Sequence, residues 1–264
     1  MQIHLFLLLN DFYLNMNPWV IFLCVIVIIF ILILIFGLPR KKCERKPNIE
    51  GIYSPEVAKA FEKMTNFLPF KILRRRIISE LKKYTVNGLL VDVGCGSGNL
   101  IVEIAQKFKT IDLIGVDISD EILELAKQRA IKDEFNERIK FEIGNVEKLP
   151  FTDNSIDFIV SSLSLHHWTN PKMAFKELFR TLKENGSLLV FDFRRNSRKF
   201  FYGLLKFATK IVVPKALKEI NEPLGSLQAG YTAEEVKGIL SQINIPKVEI
   251  KPFLAWMFVS IKKH

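Results

Sequence analysis

The chain has 264 residues, 49% of them hydrophobic, with 38 Lys and Arg against 28 Asp and Glu, for a formal net charge of +10. That length accommodates one α/β domain and a short appendage. Its three cysteines, Cys24, Cys43 and Cys95, share no metal-ligand spacing, which argues against both a disulfide framework and a zinc site. Asp11 is the only charged side chain before Arg40, so the rest of the chain carries 38 basic and 27 acidic residues. Such a balance suits anionic membrane surfaces, nucleic acid or acidic metabolites, without choosing among them.

Residues 19–38 contain no charge and are dominated by Ile, Leu, Val and Phe. As a helix this run spans roughly 30 Å, the thickness of a bilayer's hydrocarbon core. Trp19 stands at one end, where an interfacial aromatic is favoured, and Pro39-Arg40-Lys41-Lys42 closes the other. A secretory signal peptide carries its positive charge ahead of a shorter apolar run and ends on small residues, unlike this segment. The expectation is a retained transmembrane helix, with the positive-inside rule placing everything after Arg40 in the cytoplasm. Ahead of it, residues 1–18 hold a second apolar run, 3–9, too short to span, and Met16 is an alternative start to Met1. Cys43, just past the helix, reads either as a free thiol or as a juxtamembrane palmitoylation site.

Residues 39–53 are polar and basic, with Pro47 and Gly51, and read as a linker to a domain over 54–264. Ser54 fits an N-cap with Pro55 at the first helical position. Val57, Phe61, Met64 and Leu68 recur at helical spacing until Pro69 stops the run, and a second helix is expected over 71–84. Beyond it, strand patterns at 88–93, 112–117, 139–143, 156–161 and 187–193 alternate with helical ones. The helices fall at 100–108, at 119–130 behind Ser119 as N-cap, and from Asn170-Pro171 to Asn185-Gly186. Thr232 and Glu235 form a capping box for a last helix, and 247–251 and 255–261 end the chain as two strands. This alternation predicts an α/β fold with a doubly wound, mostly parallel sheet of about seven strands.

The most informative stretch is Val91-Asp92-Val93-Gly94-Cys95-Gly96-Ser97-Gly98-Asn99, between a strand and a helix. Its glycines let the backbone turn sharply and approach a ligand. A dinucleotide site wants G-x-G-x-x-G, which puts the third glycine at 99, where this chain has Asn99; a Walker A lysine is also absent. The spacing therefore disfavours NAD and ATP. Asp117, at the end of the second strand, stands where nucleotide-binding folds place an acid for the ribose hydroxyls.

Three features together make the chain resemble class I S-adenosylmethionine-dependent methyltransferases, on the branch of the ubiquinone and menaquinone C-methyltransferases. They are the D-x-G-x-G-x-G loop at 92–98, the segment Gly144-Asn145-Val146-Glu147-Lys148-Leu149-Pro150-Phe151 with Asp153-Asn154-Ser155-Ile156-Asp157, and Leu165-His166-His167-Trp168. The resemblance covers about 53–262 and implies a Rossmann-like sheet whose last strand is antiparallel. It implies that Asp92 and the backbone of Gly94, Cys95, Gly96 and Gly98 hold the methionine part of S-adenosylmethionine, that Asp117 takes the ribose hydroxyls, and that Ile118 packs on the adenine. The family usually has Asp where this chain has Asn145, which can still accept from the adenine amino group; the N–H of Val146 would face the ring.

Methyl transfer from a sulfonium needs alignment and exclusion of water more than acid–base help. The residues after the fourth strand lie where open sheets bind ligands, and the Asn/Asp-Pro-Pro-Tyr motif of amino-group methylation is absent there. His166 and His167 are candidates for a base or an acceptor-orienting group, with a purely structural role as the alternative. Residues 194–230 form an insertion in which Arg194, Arg195, Arg198, Lys199, Lys206, Lys210, Lys215 and Lys218 precede any acid. Phe200, Phe201, Leu204, Leu205, Ala208, Ile211 and Val212 cluster on one side of its helical wheel, which fits an interfacial helix or a lid over an apolar pocket. The expected function is methylation of a small, lipid-soluble acceptor at a membrane, with no nucleic-acid partner. The alternatives are an RNA or protein methyltransferase and a non-catalytic, membrane-tethered adapter.

Overall fold

The computed structural model describes residues 17–47, 54–245 and 247–263. The apolar run 3–9, Met16 and residues 48–53 of the expected linker lie outside them. Helix α1 (Pro18–Leu32) starts on Asn17, whose side chain accepts from the Trp19 N–H, and continues as a π-helical turn over Ile33–Gly37. Together they give 19 apolar residues, Trp19–Gly37, long enough for a bilayer crossing and exposed along their length.

The domain begins with α2 (Pro55–Thr65), capped by Ser54, and α3 (Leu68–Leu81). Pro69 belongs to the first turn of α3, so it starts the second helix as well as following the first; a proline there loses no helical hydrogen bond. Then come β1 (Leu89–Val93), α4 (Asn99–Lys107), β2 (Asp112–Asp117), α5 (Asp120–Lys132), β3 (Ile139–Ile143), β4 (Ile156–Ser162), a 3₁₀ turn at Leu165–His167, α6 (Pro171–Thr181) and β5 (Leu182–Phe193). The insertion folds as α7 (Lys199–Phe207) with a π-helical turn (Ala208–Val212), α8 (Lys215–Glu219) and α9 (Leu224–Ala229). Helix α10 (Ala233–Ser241) carries the expected Thr232–Glu235 capping box, and β6 (Val248–Pro252) and β7 (Trp256–Lys262) complete the domain.

The seven strands lie in the order β3-β2-β1-β4-β5-β7-β6. β7 runs antiparallel to both β5 and β6, and the other pairings are parallel. Both faces are covered, and the period-2 geometry of a strand shows in the packing. Val91, Ile159, Leu188 and Val190 face Phe175, Leu178, Val236 and Leu240. Leu90, Phe158, Val160, Leu189 and Phe191 face Ile77, Leu81, Leu100 and Ile104. Continuous apolar runs in β4 and β5 are thus explained by burial on two sides.

Helix α6 ends at Thr181, short of Asn185-Gly186. Leu182 already pairs with Ile156, and the register shifts before Ser187 pairs with Phe158. The turn signal at Asn185 is real, at φ 65°, but it marks an irregularity inside β5 rather than the helix end.

Candidate active site

The loop after β1 folds back over β2, with the N–H groups of Gly94 and Cys95 both donating to the Val116 carbonyl, at 2.8 and 3.0 Å. Gly94 has φ 73°, and a side chain there would run into Ser164. Gly98 has φ 74° as the N-cap of α4, and a Cβ would lie 3.2 Å from the Ala126 Cα of α5. Both positions therefore require glycine, for conformation and for space. The Gly96 N–H donates to Asp117 Oδ2 at 2.9 Å and the Ser119 N–H to Oδ1 at 3.2 Å, so one carboxylate ties the glycine loop to the start of α5.

A cavity of about 270 Å³ opens at these strand ends. Gly94, Cys95, Gly96, Asp117, Ile118, Asn145 and Val146, from the loops after β1, β2 and β3, line it. Ile118 projects into it 56% exposed. The Asn145 amide oxygen accepts from the Glu147 N–H at 2.8 Å, which leaves one of its lone pairs for a ligand. A second set of lining residues is apolar and comes from α2, α3, the loop after β4 and the insertion: Phe61, Phe70, Leu73, Leu163, Leu217 and Ile220.

Asp92 is fully buried and neither of its carboxylate oxygens has a hydrogen-bond partner among the described residues. Burial, with the neighbouring Asp117 charge adding to it, pushes its pKa up to about 8. Asp117 is raised too, because burial outweighs the hydrogen bonds from Gly96, Ser119 and Ile118. Burial and the same two carboxylates push the Cys95 thiol well above its ordinary range, which makes it an inert, protonated lining group. The site thus has a surplus of poorly compensated acid, suited to a cationic ligand.

The two histidines differ. His167 lines the cavity, whereas His166 is buried behind it at 2% exposure. Their rings lie 4.0 Å apart. His166 Nδ1 stands 2.7 Å from Asp192 Oδ1, and the His166 N–H donates to Asp192 Oδ2 at 2.9 Å. Burial pulls the imidazole pKa down, and the Asp192 charge and hydrogen bond more than offset it, for a net rise.

Asp192 escaped sequence analysis, although an acid inside the apolar run of β5 is a signal. Glu222 also escaped it: buried in the insertion, it lines the cavity and accepts from the Ser226 hydroxyl at 2.5 Å. The insertion's basic run is less of a surface than its composition implies. Arg194 and Arg195 are buried; Arg195 pairs with Glu235 and donates to the Cys43 carbonyl at 3.0 Å. Arg198 donates to the Leu38 carbonyl at 2.8 Å. The chain after α1 is consequently strapped to the insertion, and Arg45 reaches on to the carbonyls of Ala229 and His166 at 2.7 and 3.0 Å.

A family model described as a methyltransferase domain matches residues 85–235, more than half of the chain. The chain is 27% identical over 192 residues to the ubiquinone/menaquinone biosynthesis C-methyltransferase of Rickettsia bellii, covering 70% of this chain and 77% of that protein. It is 28% identical over 177 residues to the enzyme of the same description from Geotalea daltonii, covering 66% and 75%. Its fold is similar to a structure from Methanococcus maripaludis provisionally described as an S-adenosyl-L-methionine-dependent methyltransferase, with a TM-score of 0.64 at 21% identity, covering 84% of this chain and 97% of that one.

Proposed function

The chain belongs to the methyltransferase-domain family, with S-adenosylmethionine as its cofactor, and from that premise we propose that it methylates a small, lipid-soluble acceptor at a membrane into which its N-terminal helix inserts. The residues fit that cofactor. The orphaned Asp92 carboxylate beside the glycine loop favours a cationic ligand, and Asp117 is held ready to accept from ribose hydroxyls. Ile118 offers an apolar surface for a ring, and Asn145 and Val146 stand beside it in the lining. When bound, the cofactor supplies a methyl group on a positively charged sulfur, already activated for in-line displacement. The chain's own residues then align the acceptor and exclude water.

The observation that carries the acceptor class is the apolar set Phe61, Phe70, Leu73, Leu163, Leu217 and Ile220 in the same cavity as the glycine loop. Polar side chains interleave with that set, Thr65, Arg74, Ser164, His167, Glu222 and Ser226 among them. His167 is the imidazole within reach of an acceptor proton, and His166, fixed by Asp192, backs its ring. The relatives named for ubiquinone and menaquinone biosynthesis support the same class of acceptor. Arg40, Lys41 and Lys42 at the end of the apolar helix support a cytoplasmic position for the domain. Incubating the purified chain with methyl-labelled cofactor and either a membrane lipid extract or total RNA tests this reading. Label entering the lipid fraction is expected; label entering only RNA or protein contradicts it.

A further inference from the structure

The insertion presents an apolar stripe that the domain leaves uncovered. Leu204, Phe207, Ile211 and Val212 are 48%, 59%, 65% and 52% exposed, and the first three recur at helical spacing on one face. Lys199, Lys206 and Lys210 are exposed beside them. Tyr202, on the opposite side of α7, is buried against Phe193 and Leu227. A stripe of large apolar side chains flanked by lysines is the pattern of a helix lying in a bilayer interface.

Its position in the chain's tertiary structure says which surface covers it. The Lys199 N–H at the start of α7 donates to the Pro39 carbonyl at 3.0 Å, and the Lys41 N–H donates to the Ser197 carbonyl at 2.8 Å. Arg40 and Arg198 form an antiparallel bridge, Cys43 Sγ lies 3.3 Å from the Tyr202 hydroxyl, and Lys41 Nζ stands 4.1 Å from the centre of the Tyr202 ring. The π-helical turn Ile33–Gly37 lies against α7. The stripe therefore sits where the apolar span of α1 ends. We propose that α7 and the turn after it rest in the headgroup–acyl boundary of the bilayer that α1 crosses. This rests on the reading of α1 as a membrane span. Immediately downstream Val213 turns inward onto α2, and Leu217 and Ile220 line the cavity. The segment that contacts lipid thus runs directly into the apolar wall of the acceptor site, which gives a lipid-soluble acceptor a short path from bilayer to cavity.

The experiment places a benzophenone photo-crosslinking residue, one site at a time, in the full chain reconstituted into phosphatidylcholine–phosphatidylglycerol vesicles. The sites are Phe207 and Ile211 in the stripe, Ile28 within α1, and Ile131, which is 63% exposed near the far end of α5. Lipid adducts at 28, 207 and 211, and few at 131, are expected. Adducts to lipid at 28 with none at 207 and 211, or adducts there to a second copy of the chain, overturn the interfacial placement and leave the anchor intact. Lipid adducts as frequent at 131 as at 207 also overturn it. Absence of lipid adducts at 28 refutes the anchor reading itself.

Discussion

Asp192 holds His166 at two points, one carboxylate oxygen accepting from its backbone N–H at 2.9 Å and the other 2.7 Å from its ring Nδ1. Both groups are buried, at 1% and 2% exposure, directly behind the cavity wall that His167 forms. In the proposed reading His166 is a positioning residue and His167, which lines the cavity, is the group that meets the acceptor.

Replacing Asp192 with Asn removes the charge from a buried pair, and the expected cost is about 3 kcal/mol of folding stability. The folded imidazole has a raised pKa, so its contribution is fully present below its ordinary value of 6.5 and is lost as pH rises through the folded value. Urea unfolding from pH 5 to 9 should show that loss in the parent and a flatter profile in Asp192→Asn. Identical profiles contradict the pairing.

Asp92 gives a pH dependence of the same direction from a different cause, the burial of its own carboxylate. Its folded pKa near 8 lies above the ordinary 3.8, so between those values the folded chain keeps a proton that the unfolded chain releases. Stability contributed by this group therefore falls as pH rises across that window. Asp92→Asn should flatten the fall while weakening S-adenosylmethionine binding by about 1.5–3 kcal/mol, because a neutral amide compensates a cation poorly. Thermal unfolding and calorimetry measure the two effects separately. An equal loss of both stability and affinity in the Asn variant would mean that Asp92 is a structural group.

Ile220 lines the cavity from the insertion and is half-buried. Ile220→Ser should raise KM for an apolar acceptor by roughly tenfold, given about 1.5 kcal/mol for part of a buried side chain, and leave cofactor affinity unchanged. Equal losses in acceptor and cofactor binding would place Ile220 against the donor instead.

The parts of this architecture that local chemistry encodes were legible from the residues. Strands β2 and β3 match the strands expected over 112–117 and 139–143, and Ser54, Ser119 and Thr232 cap their helices as side-chain type and spacing require. The glycine loop was readable because its turns need residues that tolerate positive φ. What was not legible depends on distant partners. Arg194 and Arg195 look like surface charge until Glu235 and the Cys43 carbonyl come beside Arg195 and the Phe253 carbonyl beside Arg194. Residues 39–47 have a linker's composition, yet their backbone is bonded to Ser197, Lys199 and Gln228, more than 150 residues away. The wheel of residues 200–212 gave one apolar side, whereas the fold half-buries Phe201 and Leu205 and leaves Leu204, Phe207 and Ile211 exposed.

Asp117 joins the glycine loop to α5 through its bonds from the Gly96 and Ser119 N–H groups, and in the proposed reading it accepts from the ribose hydroxyls. Donor binding at this loop is tested most directly by one calorimetric comparison, in which the purified chain and Asp117→Ala are each titrated with S-adenosylmethionine and with NAD. The parent should bind S-adenosylmethionine and not NAD, and the variant should bind it about 1.5–3 kcal/mol more weakly, the range for a charge-assisted hydrogen bond. Micromolar binding of NAD with none of S-adenosylmethionine, or an Asp117→Ala variant that binds the donor as tightly as the parent, contradicts it.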